Sequence, residues 1–384
     1  MDSTRYLIVG GGMTAAAAVD GIRAHDADGS IVLVGAEAHP PYKRPPLTKK
    51  LWSGGDEDSV WYSNLDGVDV RLGRRIVGID PEARRATDDE GNELAYERVL
   101  IATGGTPRRL GGGDGSVVYY RTLDDYRLVR SRATDGAKIV VIGGGFIGSE
   151  LAASLTGTGA SVTMVVPETA IAGRLLPSGL GAFVTGYYRD KGVVVLTEQT
   201  VASVEGTTVT LGSGRTLEGD VVVGGLGIVP SVELAEAAGF EVDNGIVVDE
   251  YGRVGGRDDV FAAGDVAAFP SAALGRRMRV EHEDHAKTHG RVVGANMAGA
   301  NEPYTHLPFF YSDMFDLGYE AVGEVDPRHA TVEHWDEPNR KGVVAFVDES
   351  KRPRGYLLWN TWDKVDDARA KIEAGEPVAE EALV

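Results

Sequence analysis

Three glycines spaced Gly143-x-Gly145-x-x-Gly148 sit between the apolar run KIVVIG and the small-residue segment SELAASLTGTG, and a carboxylate, Glu168, follows 20 residues after the third. The first glycine of such a set permits a tight turn, and the second lets the backbone approach a pyrophosphate. The third lets the helix pack on its strand, with the N-terminal amides aimed at phosphate oxygens. An acid at that offset accepts hydrogen bonds from an adenosine ribose 2′-hydroxyl and repels a 2′-phosphate, which favours NAD over NADP. Arg174 is a residue of the opposite kind, able to serve a phosphate. The chain opens with a related pattern: Tyr6 to Val9, then Gly10-x-Gly12-x-x-Ala15 with Met13 and Thr14 between, then the helix AAAAVDGIRAHD. SIVLVG ends at Gly35, and Glu37 stands where a carboxylate can accept bonds from ribose hydroxyls. Two complete fingerprints, about 130 residues apart from Gly10 to Gly143, imply two dinucleotides. FAD in one domain and a nicotinamide nucleotide in the other is the economical pairing, because their chemistry needs only hydride transfer.

Hydride transfer uses no general base. It needs the nicotinamide C4 within van der Waals reach of flavin N5, water kept out, and charge that suits an anionic reduced flavin. A lysine near N5 could hydrogen-bond it, and a glutamate could orient that lysine. Lys49, in HPPYKRPPLTKKLW, and Glu150, just after Gly148, are the candidates. Read by itself, Glu150 is equally a first-turn helix acid favoured by the dipole. Arg44 and Lys49 are equally solvated cations on a proline-stiffened loop. A further cluster, EHEDHAKTHG, holds His282, His285 and His289. The last two have the i, i+4 spacing of a helical metal pair, but no second cluster offers a third ligand, so no metal is expected. The preferred reading is a helix N-terminus with His282 at its tip, its amides facing the flavin pyrimidine end.

These residues need a scaffold, and two more segments supply parts of it. YERVLIATGGTP is a strand running into the small-residue turn Ala102-Thr103-Gly104; DDVFAAGDVAAF is a strand ending in Gly264-Asp265 before a helix. At 384 residues, with 42% hydrophobic and 25% charged content, the chain is globular and too long for one ordinary domain. The fold class predicted is α/β: two Rossmann-like three-layer dinucleotide-binding domains, for FAD and NAD, plus a small C-terminal α+β domain. The FAD domain is expected in two parts, 1–117 and 229–304, with the NAD domain at 118–228 between them and the C-terminal domain at 305–384. GVVAFVD, GYLLWN and DKVDDARAKIEAG supply the strands and closing helix of the last. Arg109 to Ser116, RLGGGDGS, reads as a flexible turn near the first boundary.

Composition excludes several function classes. With no cysteine, there is no disulfide, thiolate metal site, iron–sulfur ligation or dithiol chemistry. Thirty-nine Lys and Arg against 58 Asp and Glu give a net charge of −19, which disfavours nucleic acid as a partner. No apolar run is long enough for a membrane span, and a strand beginning almost at Met1 leaves no room for a leader, so the cytoplasm is expected.

In this order, the segments resemble the two-dinucleotide flavoprotein reductases: a first G-x-G-x-x-[GA], an ATG segment, a second G-x-G-x-x-G, then a GD segment. Without a redox cysteine pair, the chain resembles the ferredoxin and rubredoxin reductases and the apoptosis-inducing-factor-like flavoproteins. The wording is most similar to the last group, in PPYKRPPLTKKLW, YRTLDDYR, GRRMRVEHEDHAKTHGRVVGANMAG and YLLWNTWDKVDDARAKIEAGE. The resemblance implies that Gly10 to Ala15, Glu37, Arg44, Lys49, Arg121, Asp265, Glu281 and His282 hold FAD, with the backbone near Ile76 touching its adenine. It implies that Gly143 to Phe146, Ile147, Gly148, Glu168, Arg174, Gly227, Glu320 and Asn360 meet NAD. Lys49 and Glu150 would pair beside flavin N5, and Phe146 would stack at the nicotinamide. Tyr311 stands where that group usually has tryptophan beside the flavin, and only about twenty residues separate Val325 from Val343, where the animal protein carries a long insertion. The activity implied is an FAD enzyme that oxidises NADH and passes electrons to a small acceptor or a redox protein such as a ferredoxin, as a monomer or dimer. Arg276, Arg277 and Arg279 are the local basic patch that could dock it. The competing reading is a slow NADH-binding flavoprotein, a redox sensor whose reduced charge-transfer state changes its protein contacts.

Overall fold

Ile31–Gly35 is buried along its whole length, and so is Tyr6 to Val9 within the strand Asp2–Val9. Strands covered on both faces read as continuous apolar runs, which marks a parallel sheet between helices. The computed structural model describes residues 2–111, 114–379 and 383, and the chain divides into two compact units. Unit 1 comprises Met1–Lys43, Asp58–Thr106 and Val229–Pro308; unit 2 comprises Arg44–Glu57, Pro107–Ile228 and Phe309–Val384.

In unit 1, Val68–Leu72, Ile31–Gly35, Asp2–Val9 and Glu93–Ile101 lie side by side and parallel. Val260–Ala262 adds in parallel beyond the last of these, and Arg85–Asp88 and Ile76–Asp80 continue the sheet antiparallel. The helix Met13–His25 packs against Glu283–Met297 through very small residues. A Cβ on Gly294 would stand 2.2 Å from the Ala18 carbonyl oxygen, and one on Gly290 2.5 Å from that of Thr14. The alanine row and these glycines therefore let two helices meet backbone to backbone. One expectation fails here. No α-helix follows Gly264-Asp265; Gly264–Val266 is a single 3₁₀ turn that runs into the strand Ala267–Ser271. Gly264 adopts φ +76°, and the next apolar residues, Val266 to Phe269, are all buried, so extended chain covers them better than a one-sided helix would. The helix begins only at Glu283.

In unit 2, Val194–Thr197, Ser161–Val166, Lys138–Ile142, Val221–Gly224 and Val118–Tyr119 form a parallel sheet, joined by a small antiparallel sheet over residues 201–218. The C-terminal portion is an antiparallel sheet ordered Phe309–Met314, Leu317–Gly323, Pro353–Trp359, Lys341–Val347, Ala330–Glu337, with the helix Val365–Ala374 packed on it. Stacking of Tyr319 on Trp359 at 5.7 Å ties its central strands. The turn expected over Arg109 to Ser116 falls partly on residues 112 and 113, outside the described residues. Among the described residues no helix is long and apolar enough to cross a membrane.

Candidate active site

Lys49 lies between two 3₁₀ turns, Pro45–Thr48 and Lys50–Ser53, started by the prolines at residues 45 and 46. Aromatic groups fix this segment within unit 2. Trp52 Nε1 donates to the Leu47 carbonyl at 2.7 Å, the Trp52 ring meets Tyr126 edge-on at 5.3 Å, and Arg44 Nη1 donates to the Arg121 carbonyl at 2.8 Å. Ser154, on the helix Phe146–Thr156, donates to the Thr48 carbonyl at 2.7 Å. Lys49 Nζ thereby forms an ion pair with Glu150 and stands 5.1 Å from the centre of the Tyr311 ring. Two alternatives for these residues do not hold. The helix begins at Phe146, so Glu150 lies beyond the acid-free first turn and is 6% exposed, while the Lys49 side chain is 16% exposed and paired.

The strand pairing brings further residues to this place. Tyr311 is directly opposite Glu320, so both side chains share one sheet face. Glu320 Oε2 is buried without a partner among the described residues, and burial, then the charge of Asp363, pushes its carboxyl up. Phe146, the first residue of its helix, meets Phe310 edge-on at 5.4 Å and keeps an exposed face. Asn360 also has a structural task. Its Oδ1 accepts the Gly318 N–H at 2.7 Å and its Nδ2 donates to the Arg340 carbonyl at 2.8 Å, so its amide binds strand ends together. Thr48 and Ser312 are site residues that sequence reasoning missed: both hydroxyls bond Glu150. Their only sequence signal is adjacency to Lys49 and Tyr311.

The second glycine turn has the geometry that its spacing predicts. Gly143 has φ +108°, and a Cβ on Gly148 would stand 2.1 Å from the Gly143 carbonyl oxygen. Over Gly145 nothing lies within 4 Å, and Gly227 is equally open. Glu168 Oε1 pairs with Arg174 Nε at 2.6 Å.

In unit 1 the first turn is built alike. A Cβ on Gly10 would stand 2.2 Å from the Ala102 carbonyl oxygen, the space over Gly12 is open, and Ala15 is fully buried. Met13 begins the helix with Thr14 behind it, and a Cβ on Gly264 would stand 2.1 Å from Thr14 Oγ1. Ala102 N–H bonds Val9, Thr103 Oγ1 donates to the Ser231 carbonyl at 2.8 Å, and Gly104 has φ +65°. Glu37 accepts a hydrogen bond from Tyr42 at 2.6 Å, and Ile76 begins a strand opposite Asp88. Arg279 proves to be no docking cation. Its side chain is 10% exposed, and it bonds the Asp265 carbonyl at 3.2 Å and the Glu281 carboxylate at 2.6 Å. His282 is the N-cap of Glu283–Met297; burial pushes its pKa down to about 4, against the pull of Asp265 and Asp284.

Comparison with known proteins matches the pyridine nucleotide-disulphide oxidoreductase family over residues 4–290 and the C-terminal family of apoptosis-inducing factor, mitochondrion-associated, over residues 293–342. The chain is 36% identical to the ferredoxin–NAD(+) reductase component of the anthranilate 1,2-dioxygenase system of Burkholderia cepacia, over 98% of this chain and 95% of that one. The chain belongs to the pyridine nucleotide-disulphide oxidoreductases. It is also 31% identical to apoptosis-inducing factor 1 of Dictyostelium discoideum, over 97% of this chain and 79% of that one. Among solved structures, putidaredoxin reductase in its covalent complex with putidaredoxin matches with a TM-score of 0.92 at 28% identity, over 100% of this chain and 96% of that one.

This pyridine nucleotide oxidoreductase uses FAD and NAD(H) and transfers electrons as a flavoprotein. It does so without cysteine, so the disulphide chemistry in the family's name is absent from this member. The residues present fit both groups. Each glycine turn leaves an open Cα, at Gly12 and at Gly145, before a helix whose first turn holds no acid and whose N-cap makes no side-chain bond. Unspent amides and an open approach suit a pyrophosphate in each unit.

Proposed function

We propose that the protein oxidises NADH at its FAD and hands electrons to a ferredoxin-type iron–sulfur protein, with Lys49, Glu150, Phe146, His282 and Tyr311 serving the flavin–nicotinamide encounter. The observation that carries this reading is the buried Lys49–Glu150 pair lying over Tyr311. FAD, when bound, would supply the hydride acceptor for NADH, which would leave as NAD⁺. The chain's own residues do the positioning. Lys49 offers a cationic donor toward flavin N5, and Glu150 keeps that ammonium in place. Phe146 would support the nicotinamide, and the orphaned Glu320 Oε2 would be the acceptor on offer to its carboxamide. Gly10 to Ala15, Glu37, Ile76, the Ala102 to Gly104 turn, Arg44, Arg121, Gly264, Asp265, Glu281 and His282 hold FAD. Gly143 to Gly148, Glu168, Arg174, Gly227 and Asn360 meet NAD. His282 and the amides of Glu283–Met297 favour negative charge at the flavin pyrimidine end. The domain limits accompanying this reading are 1–117 with 229–304 for FAD, 118–228 for NAD and 305–384 for the C-terminal domain. The location proposed is cytoplasmic, and the state a monomer or dimer.

Anaerobic stopped-flow reduction of the holoenzyme tests this reading. Glu150→Ala should slow reduction by NADH roughly tenfold or more, about 1.4 kcal/mol of lost positioning, while FAD stays bound. Release of the flavin instead would assign Glu150 to the fold. Rapid reoxidation by a ferredoxin supports turnover; a long-lived, air-stable reduced complex would favour the sensor reading.

A further inference from the structure

The Glu150 carboxylate has two oxygens, and three donors converge on them. Lys49 Nζ pairs with Oε1, Ser312 Oγ donates to the same oxygen at 2.7 Å, and Thr48 Oγ1 donates to Oε2 at 2.6 Å. Thr48 Oγ1 also lies 3.4 Å from the Pro45 carbonyl, but its single proton goes to the nearer, charged acceptor. The other titratable groups shown to feel the Glu150 charge are two phenols and a carboxyl. Burial holds the phenols of Tyr188 and Tyr319 well above their ordinary value, with the Glu150 charge adding to it. Burial also raises Asp313, against the pull of Lys49. A carboxylate 6% exposed needs compensation, and here it comes from one ammonium and two hydroxyls. Each hydroxyl belongs to a segment that also carries a site residue: Thr48 precedes Lys49, and Ser312 follows Tyr311. The Thr48 backbone is itself tied down by Ser154 at 2.7 Å, so the donor is preset and not merely attracted.

We propose that Thr48 and Ser312 are positioning residues of the hydride-transfer site: their hydroxyls hold the Glu150 carboxylate in one orientation, and so fix the Lys49 ammonium over Tyr311. The functional part of this proposal rests on the reading of the Lys49–Glu150 pair given above. With either hydroxyl removed, Glu150 keeps its charge partner but loses the direction of its lone pairs, and Lys49 gains freedom.

Two readouts on the holoenzyme test it, using Thr48→Val, Ser312→Ala, the double variant, and Thr48→Ser and Ser312→Thr as conservative controls. The first is the trace-acetylation rate of Lys49 at one fixed pH, followed by mass spectrometry, which depends on how firmly the ammonium is held. The double variant should label about tenfold faster, with the single variants between. The second is anaerobic flavin reduction by NADH, which should slow by a similar factor. Both controls should restore both readouts. Unchanged Lys49 labelling in the double variant, with FAD content retained, overturns the clamp. Faster labelling with an unchanged reduction rate leaves the clamp standing and overturns the hydride-site reading. If the double variant loses FAD, Ser312→Ala alone carries the same comparison.

Discussion

Glu168 and Arg174 show how one ion pair bears on cofactor choice. The Arg174 side chain is 85% exposed and the Glu168 side chain 23%, so their 2.6 Å contact contributes little to stability. Its effect is on availability: Arg174, turned toward Glu168, is not offered to a 2′-phosphate, and Glu168 repels one. NADH should therefore exceed NADPH by a wide margin in kcat/KM for flavin reduction. Glu168→Gln should raise the NADPH value roughly tenfold by removing repulsion worth about 1.4 kcal/mol and releasing Arg174. Adding Arg174→Ala should take that gain away, and equal wild-type rates with the two nucleotides would refute this role of Glu168. Residues of this kind are legible because their position follows a counted offset from a glycine turn. Thr48 and Ser312 are not, since a hydroxyl acquires meaning only when Glu150, 102 residues from Thr48, folds against it. Asn360 adds a task that no local pattern signals: its residue type suits a ligand, and the fold also uses both ends of its amide in the sheet.

The helix Glu283–Met297 has the most distinctive chemistry of any single element. His285 and His289 are fully buried on it, with rings 4.8 Å apart, packed on Phe269 and Tyr304. His285 Nδ1 bonds the Tyr304 hydroxyl at 3.0 Å, and His289 Nδ1 accepts the Gly264 N–H at 3.3 Å. That acceptance requires His289 to be neutral. Burial pushes the His285 pKa down to about 3 and His289 well below its ordinary value. The unfolded chain thus binds more protons than the folded one from pH 6.5 down to about 3. Stability is full above 6.5 and falls as the pH drops through that window, by about 1.4 kcal/mol per pH unit for His285, and His289 adds to the fall in the same direction. Thermal unfolding of the holoenzyme at pH 7 and pH 5 should show this loss, and His285→Asn should make the slope shallower, with His282 and His289 still contributing; an unchanged slope would place the acid sensitivity elsewhere. The parallel strands were legible at this scale because continuous apolar runs between glycine turns admit few other folds. The strand after Gly264 was not, because a buried apolar run of that length suits helix and strand alike. Nor does any local pattern say that Arg44–Glu57 gathers with unit 2, where Trp52 meets Tyr126 more than seventy residues away.

For the whole molecule, a net charge of −19 sets the terms on which an acidic redox protein can approach. At long range the two repel, and that repulsion weakens as salt rises. At contact, only charges within about a Debye length, roughly 10 Å at 0.1 M salt, decide the docking rate. With Arg279 committed to Asp265 and Glu281, the basic patch reduces to Arg276 and Arg277 on the hairpin of Ala267–Ser271 and Arg276–Met278. Arg277 is held by the Val248 and Ala268 carbonyls, each at 2.7 Å, which orders the hairpin, and Arg276 is exposed beside it. If this hairpin receives an acidic ferredoxin, local attraction dominates and kcat/KM for that acceptor falls as salt rises. Arg276→Glu should then lower the low-salt rate several-fold and flatten its salt dependence, while NADH turnover with a neutral quinone stays unchanged. A wild-type rate that climbs with salt would mean that the global repulsion governs the encounter, and the acceptor would have to meet the protein at a surface other than this hairpin.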